Sequence, residues 1–498
     1  MEYYAKSKKV QFTSERINEI KKNMKNIEEC LKENLTETDV EILNSSITDI
    51  AEKTEEKQKT LKEHHKDIVT CAEMFFLEYG EYFTEKEKKL VVEACRIHDL
   101  GKVNLVFQAM ICPKLAEKFH IDVRKTQQIP HGFLSAVTIS LDEFDDLSEL
   151  FSDKDFGPFI TAVYYHHDRE DHYNSPAIRK YAEKYYMKQI EEYLNRKIRK
   201  LNCSNLDDLL FRNNVYTGKY IPDSNAWKEY LLIKGLLNKF DYTVSAGYEN
   251  AESAIDLHEK KLVKNIEKFL NGKELRPAQK FMKMNRDKNL IVIAPTGSGK
   301  TEASLLWMNG EKSFYTLPLK VSSNAIYLRI KENYEYKDVA LLHSDAMAVY
   351  LREYNGNEDI GEKYERSKML SQPLTVCTVD QLFRFVYRAL GTEIFAATLK
   401  YSKLVLDEIQ AYEPRVIATI IYGLKMIQEM GGKFAIITAT FPPVLKYFME
   451  QYGLVEGKQY IFKDFTGKEY QVEKYPRHKV EIRHSEMNLD EIRLRGKK

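Results

Sequence analysis

The run Leu290-Ile-Val-Ile-Ala294-Pro295 leads directly into Thr296-Gly297-Ser298-Gly299-Lys300-Thr301 and then into a helical stretch, Glu302 to Asn309. An apolar strand that turns through two glycines into a helix requires a parallel sheet whose strand end opens onto that helix N-terminus. Backbone N–H groups of such a turn cradle phosphates. Lys300 is spaced to reach the β and γ groups, and Thr301 to bind Mg²⁺. Ala294 stands where the general pattern has its first glycine.

The surrounding sequence agrees. Short apolar runs at 290–294, 313–317, 338–342, 374–378, 403–407 and 434–439 alternate with amphipathic stretches. That alternation predicts strands of one parallel sheet with helices on both faces. Lys403-Leu-Val-Leu-Asp407-Glu408 ends a predicted strand in two carboxylates. Asp407 is suited to hold Mg²⁺ through water and Glu408 to polarise the attacking water.

With Gln410, Thr438-Ala-Thr440 and the Arg276-Pro-Ala-Gln279 element some 20 residues before Lys300, this half resembles the superfamily 2 helicases. The resemblance implies that Arg276 and Gln279 read adenine and that Gln410 couples to Thr438-Ala-Thr440. It also implies that Thr316-Leu-Pro318-Leu-Lys320 and Thr378-Val-Asp380-Gln381 meet the backbone of single-stranded DNA. Such motors use two RecA-like domains, the second supplying arginines to the γ-phosphate. After Thr440 no second strand–helix series and no arginine motif is legible, so slow ATP turnover is expected unless a separate chain carries that domain.

The first half reads differently. Helical periodicity predicts helices at 60–79, 86–99, 131–142, 158–167, 176–200 and 226–247, with few alternating β-branched runs. Histidines and aspartates recur at their ends and on their apolar faces. His64 precedes Ile68, Val69 and Ala72; His98-Asp99-Leu-Gly101-Lys102 closes a helix; His131 opens one; His166-His167 ends Phe159-Ile-Thr-Ala-Val-Tyr-Tyr165. Asp241 interrupts the largely apolar stretch Leu236 to Ala246, where an unpaired carboxylate is expensive to bury. One shared metal site explains five histidines and two aspartates so placed, with the two oxygens of Asp99 able to bridge two cations. His65 adjoins His64 as an exposed residue or an alternative ligand. His120, His172, His258, His478 and His484 lie in polar surroundings, and His343 ends a strand of the other half.

The order of these elements resembles the HD phosphohydrolase superfamily, most closely the HD nuclease domain of the CRISPR-associated helicase-nuclease of type I interference systems. Ala5-Lys6-Ser7 and Leu61-Lys-Glu-His64 match its opening elements, although about 50 residues separate them here. By that resemblance His64, His98, Asp99 and Asp241 would hold one metal, Asp99, His131, His166 and His167 the second, and Lys102 would contact phosphate. Imidazole-rich ligation favours Mn, Fe, Co or Ni over Mg.

The chain of 498 residues is long enough for two or three domains. The expected division is an all-α HD domain over 1–250, with 10–60 as a charge-rich insertion, and a helical connector over 251–275. An α/β RecA-like domain follows over 276–460, then a polar tail over 461–498. A formal net charge of +1 excludes bulk charge as an argument for nucleic acid; any basic track must be local. Six scattered cysteines without a C-x-x-C pair speak against a disulfide framework and fit a reducing cytoplasm. No apolar run approaches the ~18–20 residues that span a bilayer.

The function expected from these readings is a metal-dependent nuclease acting on single-stranded DNA, fed by an ATP-driven motor and recruited to an RNA-guided CRISPR surveillance complex. Two alternatives stand: a nucleotide phosphohydrolase with a regulatory NTP-binding domain, and a catalytically idle DNA-binding fragment.

Overall fold

The computed structural model describes residues 3–5, 59–139, 156–167, 175–198, 201, 225–253, 260–353 and 360–470. Lys6, Ser7, the 10–58 stretch, His172, His258, His478, His484 and residues 471–498 lie outside them.

The N-terminal half is helical. α1 (Leu61–Tyr79) and α2 (Glu85–Ile97) each start in a capping box, Thr60 with Glu63 and Thr84 with Glu87. These reciprocal bonds satisfy the backbone donors that a helix start leaves free. There follow α3 (Leu105–Ile111), α4 (Pro113–Lys118), α5 (His131–Thr138), α6 (Phe156–Tyr164), α7 (Ser175–Tyr185), α8 (Met187–Leu194) and α9 (Asn225–Ser245).

Three departures from the periodicity have physical causes. The helix expected over 176–200 breaks at Tyr186, which is fully buried with its hydroxyl 2.6 Å from Thr138 Oγ1; the break turns that ring inward. α5 ends at Thr138 because Ile139 is extended. α3 and α4, of seven and six residues, are too short to carry a legible repeat.

The second half is a seven-stranded sheet, in which β1 (Leu290–Ile293), β2 (Ser313–Leu317), β3 (Val339–Leu342), β4 (Leu374–Thr378), β5 (Lys403–Asp407), β6 (Lys433–Thr438) and β7 (Ile461–Asp464) lie in the order β3-β4-β2-β5-β6-β1-β7. Every pairing is parallel. β7 was not legible because an edge strand that is only half-buried shows no continuous apolar run. It falls in the stretch the sequence suggested as tail. In the connector region a helix spans Lys261–Leu270 and stops at Asn271 in the left-handed conformation.

α9 joins the halves. Asp241 faces α1, while Lys234 Nζ lies 2.9 Å from Glu393 Oε2 and Lys239 Nζ 2.7 Å from Glu252 Oε1, all four residues buried. Glu393 opens the helix Glu393–Lys400 that precedes β5. Glu252 also binds Lys312 and accepts from the Tyr401 hydroxyl at 2.6 Å. Such buried ions persist because each has partners. Among the described residues no helix is long and apolar enough to cross a membrane.

Candidate metal and nucleotide sites

The turn after α2 presents Asp99 at the centre of the helical half. Gly101 N–H donates to Ser135 Oγ at 2.8 Å, and Ser135 in turn donates to the His131 carbonyl at 2.9 Å. This locks the turn against α5. A Cβ at Gly101 would run into the His131 carbonyl, so the H-D-x-G-K glycine is needed for close approach.

All seven predicted ligands converge. Asp99 Oδ1 lies 3.1 Å from His131 Nε2 and 3.5 Å from His166 Nε2. His167 Nε2 is 2.8 Å from His131 Nε2. Asp99 Oδ2 lies 3.4 Å from both His64 Nε2 and His98 Nε2. Each carboxylate oxygen thus serves its own set of imidazoles, and Asp99 alone belongs to both candidate metal groups, Asp99-His131-His166-His167 and His64-His98-Asp99. Asp241 stands outside the tighter trio and reaches it through His64, with Oδ1 3.2 Å from Nε2.

The donor chemistry fits cations. Nε2 of His64 and of His98 are buried with no hydrogen-bond partner among the described residues. Carbonyls of Cys95 and Val163 stand 3.0 and 2.7 Å from Nδ1 of His98 and His166, favouring the tautomer that leaves Nε2 free. Lys102 Nζ sits 2.6 Å from Asp99 Oδ2, so its ammonium supplies positive charge at the bridging carboxylate. The sequence suggested a phosphate contact for Lys102; here it engages Asp99 and would have to turn away to meet phosphate.

Burial disfavours the Asp99 charge, but the charges of His98 and Lys102 and bonds from His131 and His166 hold its carboxyl well below the usual range. Burial pushes His131 down to about 3, and lowers His166 and His167 as well. His98 moves the other way: burial opposes its charge, but Asp99 beside it wins. His65 is half-buried rather than exposed, bonded to the Tyr193 hydroxyl at 3.2 Å, and burial with the nearby His98 pushes it down to about 3. It belongs to neither candidate metal group. His343 lies 2.7 Å from Asn324 Oδ1 in the other half, and His120 is exposed.

These depressed imidazoles should make the metal-free protein acid-labile. A histidine whose folded pKa is lowered leaves the unfolded state binding more protons, so stability falls as pH drops below the unfolded value of about 6.5. For His131 the loss runs down to about pH 3. Each such group contributes a slope of at most about 1.4 kcal/mol per pH unit, and the raised His98 offsets part of it. Urea midpoints in EDTA should therefore fall steadily from pH 7 to pH 4.5. A flat profile would mean these rings are not held neutral.

In the second half, β1 feeds the phosphate loop. Gly297 and Gly299 have φ of 76° and 84°, and a Cβ at Gly299 would collide with Gln279. Arg276 donates to the Gly297 carbonyl, and Gln279 Nε2 to the Gly299 carbonyl at 3.3 Å, so both press on the loop from behind. Lys300 Nζ is paired with Glu408. Glu408 takes the left-handed conformation (φ 53°) and accepts from Gln410 Nε2 at 2.5 Å, while Thr438 Oγ1 donates to Gln410 Oε1. Gln410 therefore bridges the acidic motif and Thr438-Ala-Thr440. Burial would raise the Glu408 carboxyl, but bonds from Lys300 and Gln410 lower it. Burial raises Asp407 against a 2.7 Å bond from the Tyr315 hydroxyl. Thr301 is buried beside the loop, and Thr296 and Ser298 form its rim.

The parallel register sets Leu317 opposite Thr378, so the Thr316–Lys320 and Thr378–Gln381 segments leave neighbouring strands at the same sheet edge. Lys320 Nζ lies 3.0 Å from Asp345, on the next strand's loop. The sequence did not single out Ser135 or Tyr315; each positions a candidate site residue through a hydroxyl, and hydroxyls have no signature spacing.

Comparisons with known proteins divide the chain in the same way. The family described as Cas3, HD domain matches residues 51–224, and the DEAD/DEAH box helicase family matches residues 277–448. The first match contains every candidate histidine ligand and Asp99; Asp241 follows it. The CRISPR-associated nuclease/helicase Cas3 of Methanothermobacter thermautotrophicus is 25% identical over 464 residues, covering 80% of this chain and 54% of that protein. The putative CRISPR-associated nuclease/helicase Cas3 of Methanocaldococcus jannaschii is 27% identical over 199 residues, covering 36% of this chain and 27% of that protein. The crystal structure of T. fusca Cas3 shares the fold, with a TM-score of 0.56 at 17% identity over 80% of this chain and 50% of that one. The chain thus spans about half the length of the first of these relatives and of the solved structure. With the histidine–aspartate cluster inside one family match and the phosphate loop inside the other, the chain is a Cas3-like protein, an HD domain followed by a DEAD/DEAH box helicase domain.

Proposed function

We propose that the helical half is a metal-dependent nuclease that cuts single-stranded DNA, and that the sheet is the first RecA-like domain of an ATP-driven motor acting with it in type I CRISPR interference. The division of the Asp99 oxygens between two sets of imidazoles carries the reading. His64, His98, Asp99 and Asp241 would hold one divalent cation, and Asp99, His131, His166 and His167 the other, with Mn, Fe, Co or Ni preferred by the imidazoles. Bound, such a pair supplies Lewis acidity and an activated water at a scissile phosphate.

The chain's own residues do the rest. Neutral His131, His166 and His167 offer lone pairs at neutral pH. Asp99 stays ionised between them. Lys102, freed from Asp99, would meet the negative charge of the phosphate. In the sheet, Thr296 to Thr301 would cradle the ATP phosphates, Asp407 would hold Mg²⁺ and Glu408 would orient water once Lys300 turns to phosphate. The shared edge of the Thr316–Lys320 and Thr378–Gln381 segments supports a strand track, which a purely regulatory nucleotide site would not need. The proposed partner is an RNA-guided surveillance complex that exposes the strand. The domain division 1–250, 251–275 and 276–460 belongs to the same reading, with β7 added to the sheet.

Circular single-stranded DNA tests it. Incubated with the chain and a series of Mn²⁺, Fe²⁺, Co²⁺, Ni²⁺ and Mg²⁺, circles should be opened and shortened, whereas a nucleotide phosphohydrolase leaves them closed. Closed circles with every metal would sink the nuclease assignment. Without ATP, Lys300→Ala should cut within about twofold of the parent, because distant sites that share no partner act independently. Loss of cutting in that variant would show that the two halves are coupled at the chemical step.

A further inference from the structure

We propose that Phe107 is the surface on which a base flanking the scissile phosphate stacks, and that it sets the preference of the metal site for unpaired strands. This rests on the nuclease reading above. α3 begins directly after the His98–Lys102 turn, and its cap fixes it to that turn. Asn104 Oδ1 accepts from the Phe107 N–H at 2.9 Å and from the Tyr181 hydroxyl at 2.9 Å, while Asn104 Nδ2 donates to the Gly101 carbonyl at 2.6 Å.

α3 sends Leu105, Val106 and Ala109 into the interior. Phe107 is left only partly covered, and it joins neither of the two packed apolar cores. Its ring lies against candidate site residues instead. Its ring centroid is 5.6 Å from that of His131, edge to face, and 6.0 Å from Lys102 Nζ. One turn on, Met110 is 48% exposed, which extends the same apolar strip outward.

A half-buried phenyl ring packed beside a buried cluster of charges, outside either apolar core, needs a reason. A nucleotide whose phosphate meets Lys102 would carry its base one ribose away, within reach of the half-buried Phe107 ring. Stacking of this kind accepts any base but requires that the base be free of its duplex partner. Phe107 would therefore select single strands without reading sequence.

The test uses the full chain and a short single-stranded DNA oligonucleotide with one abasic position, cutting being read at every phosphate. The parent should cut about 5- to 150-fold more slowly next to the abasic position than elsewhere, the range for loss of one base–aromatic stack. Phe107→Ala should lose a similar factor at all phosphates and show no further dip at the abasic one. Phe107→Trp should restore cutting, whereas Phe107→Leu, apolar but without a π face, should not. Bound Mn²⁺ should be unchanged in Phe107→Ala, and affinity for the oligonucleotide in EDTA, measured by anisotropy, should fall. The proposal is overturned if Phe107→Ala cuts like the parent, if its abasic dip persists, or if it loses metal together with activity, since Phe107 would then only brace His131. A parent that cuts no oligonucleotide would remove the nuclease reading itself, and this inference with it.

Discussion

Asp99→Ala and Asp99→Asn should reduce Mn²⁺-dependent cutting of single-stranded DNA by about 10³-fold or more, as expected when several kcal/mol of charge stabilisation are removed. Among the described residues no other belongs to both candidate metal groups, so none of them stands ready to replace Asp99. Asparagine keeps the shape but offers one neutral oxygen where the carboxylate has two charged ones. Bound metal should fall from two ions to one or none per chain, which separates loss of the site from loss of substrate binding. The Asn variant guards against misfolding, because it keeps the volume of the carboxylate against which the buried Lys102 packs. His131→Ala, by contrast, should leave the His64-His98-Asp99 group able to hold one ion. Undiminished cutting by either Asp99 variant in Mn²⁺ would rule out the dinuclear assignment.

Much of this candidate site was legible because the candidate ligands left local anomalies: a pair of imidazoles ending an apolar run, a carboxylate inside an apolar helix. The strands were legible for the same reason, since β1 to β6 are buried on both faces and read as continuous apolar runs. What escaped depends on partners far along the chain. Lys234 and Lys239 also interrupt an apolar helix, and the argument made for Asp241 applied to them. Their partners, Glu393 and Glu252, are set by tertiary structure alone. Nor could spacing show that Lys102 rests on Asp99, or that His65 is turned toward Tyr193 while its neighbour His64 joins the cluster. A one-residue step on a helix swings a side chain by about 100°, so adjacent histidines separate into a member of the cluster and a bystander.

A polypeptide of these 498 residues, assayed alone, should bind ATP and turn it over about 10³- to 10⁵-fold more slowly than the same residues supplied with a second RecA-like domain, the factor that arginine contacts to the γ-phosphate contribute in related motors. The described sheet supplies the cradle, Asp407 and Glu408, which serve one side of the nucleotide. The guanidinium it brings to the loop, Arg276, is engaged with the Gly297 carbonyl. Lys300 must also leave Glu408 before it can meet phosphate, so nucleotide competes with an existing ion pair and should bind weakly. Adding a separate chain that carries a RecA-like domain should restore DNA-stimulated hydrolysis, and Lys300→Ala should abolish the restored activity. The measurement is phosphate release with and without single-stranded DNA, at several protein concentrations. Fast, DNA-stimulated release from the polypeptide alone would contradict the prediction. A rate per chain that rises with concentration would locate the missing cations in a second copy, and one that does not would locate them within these 498 residues.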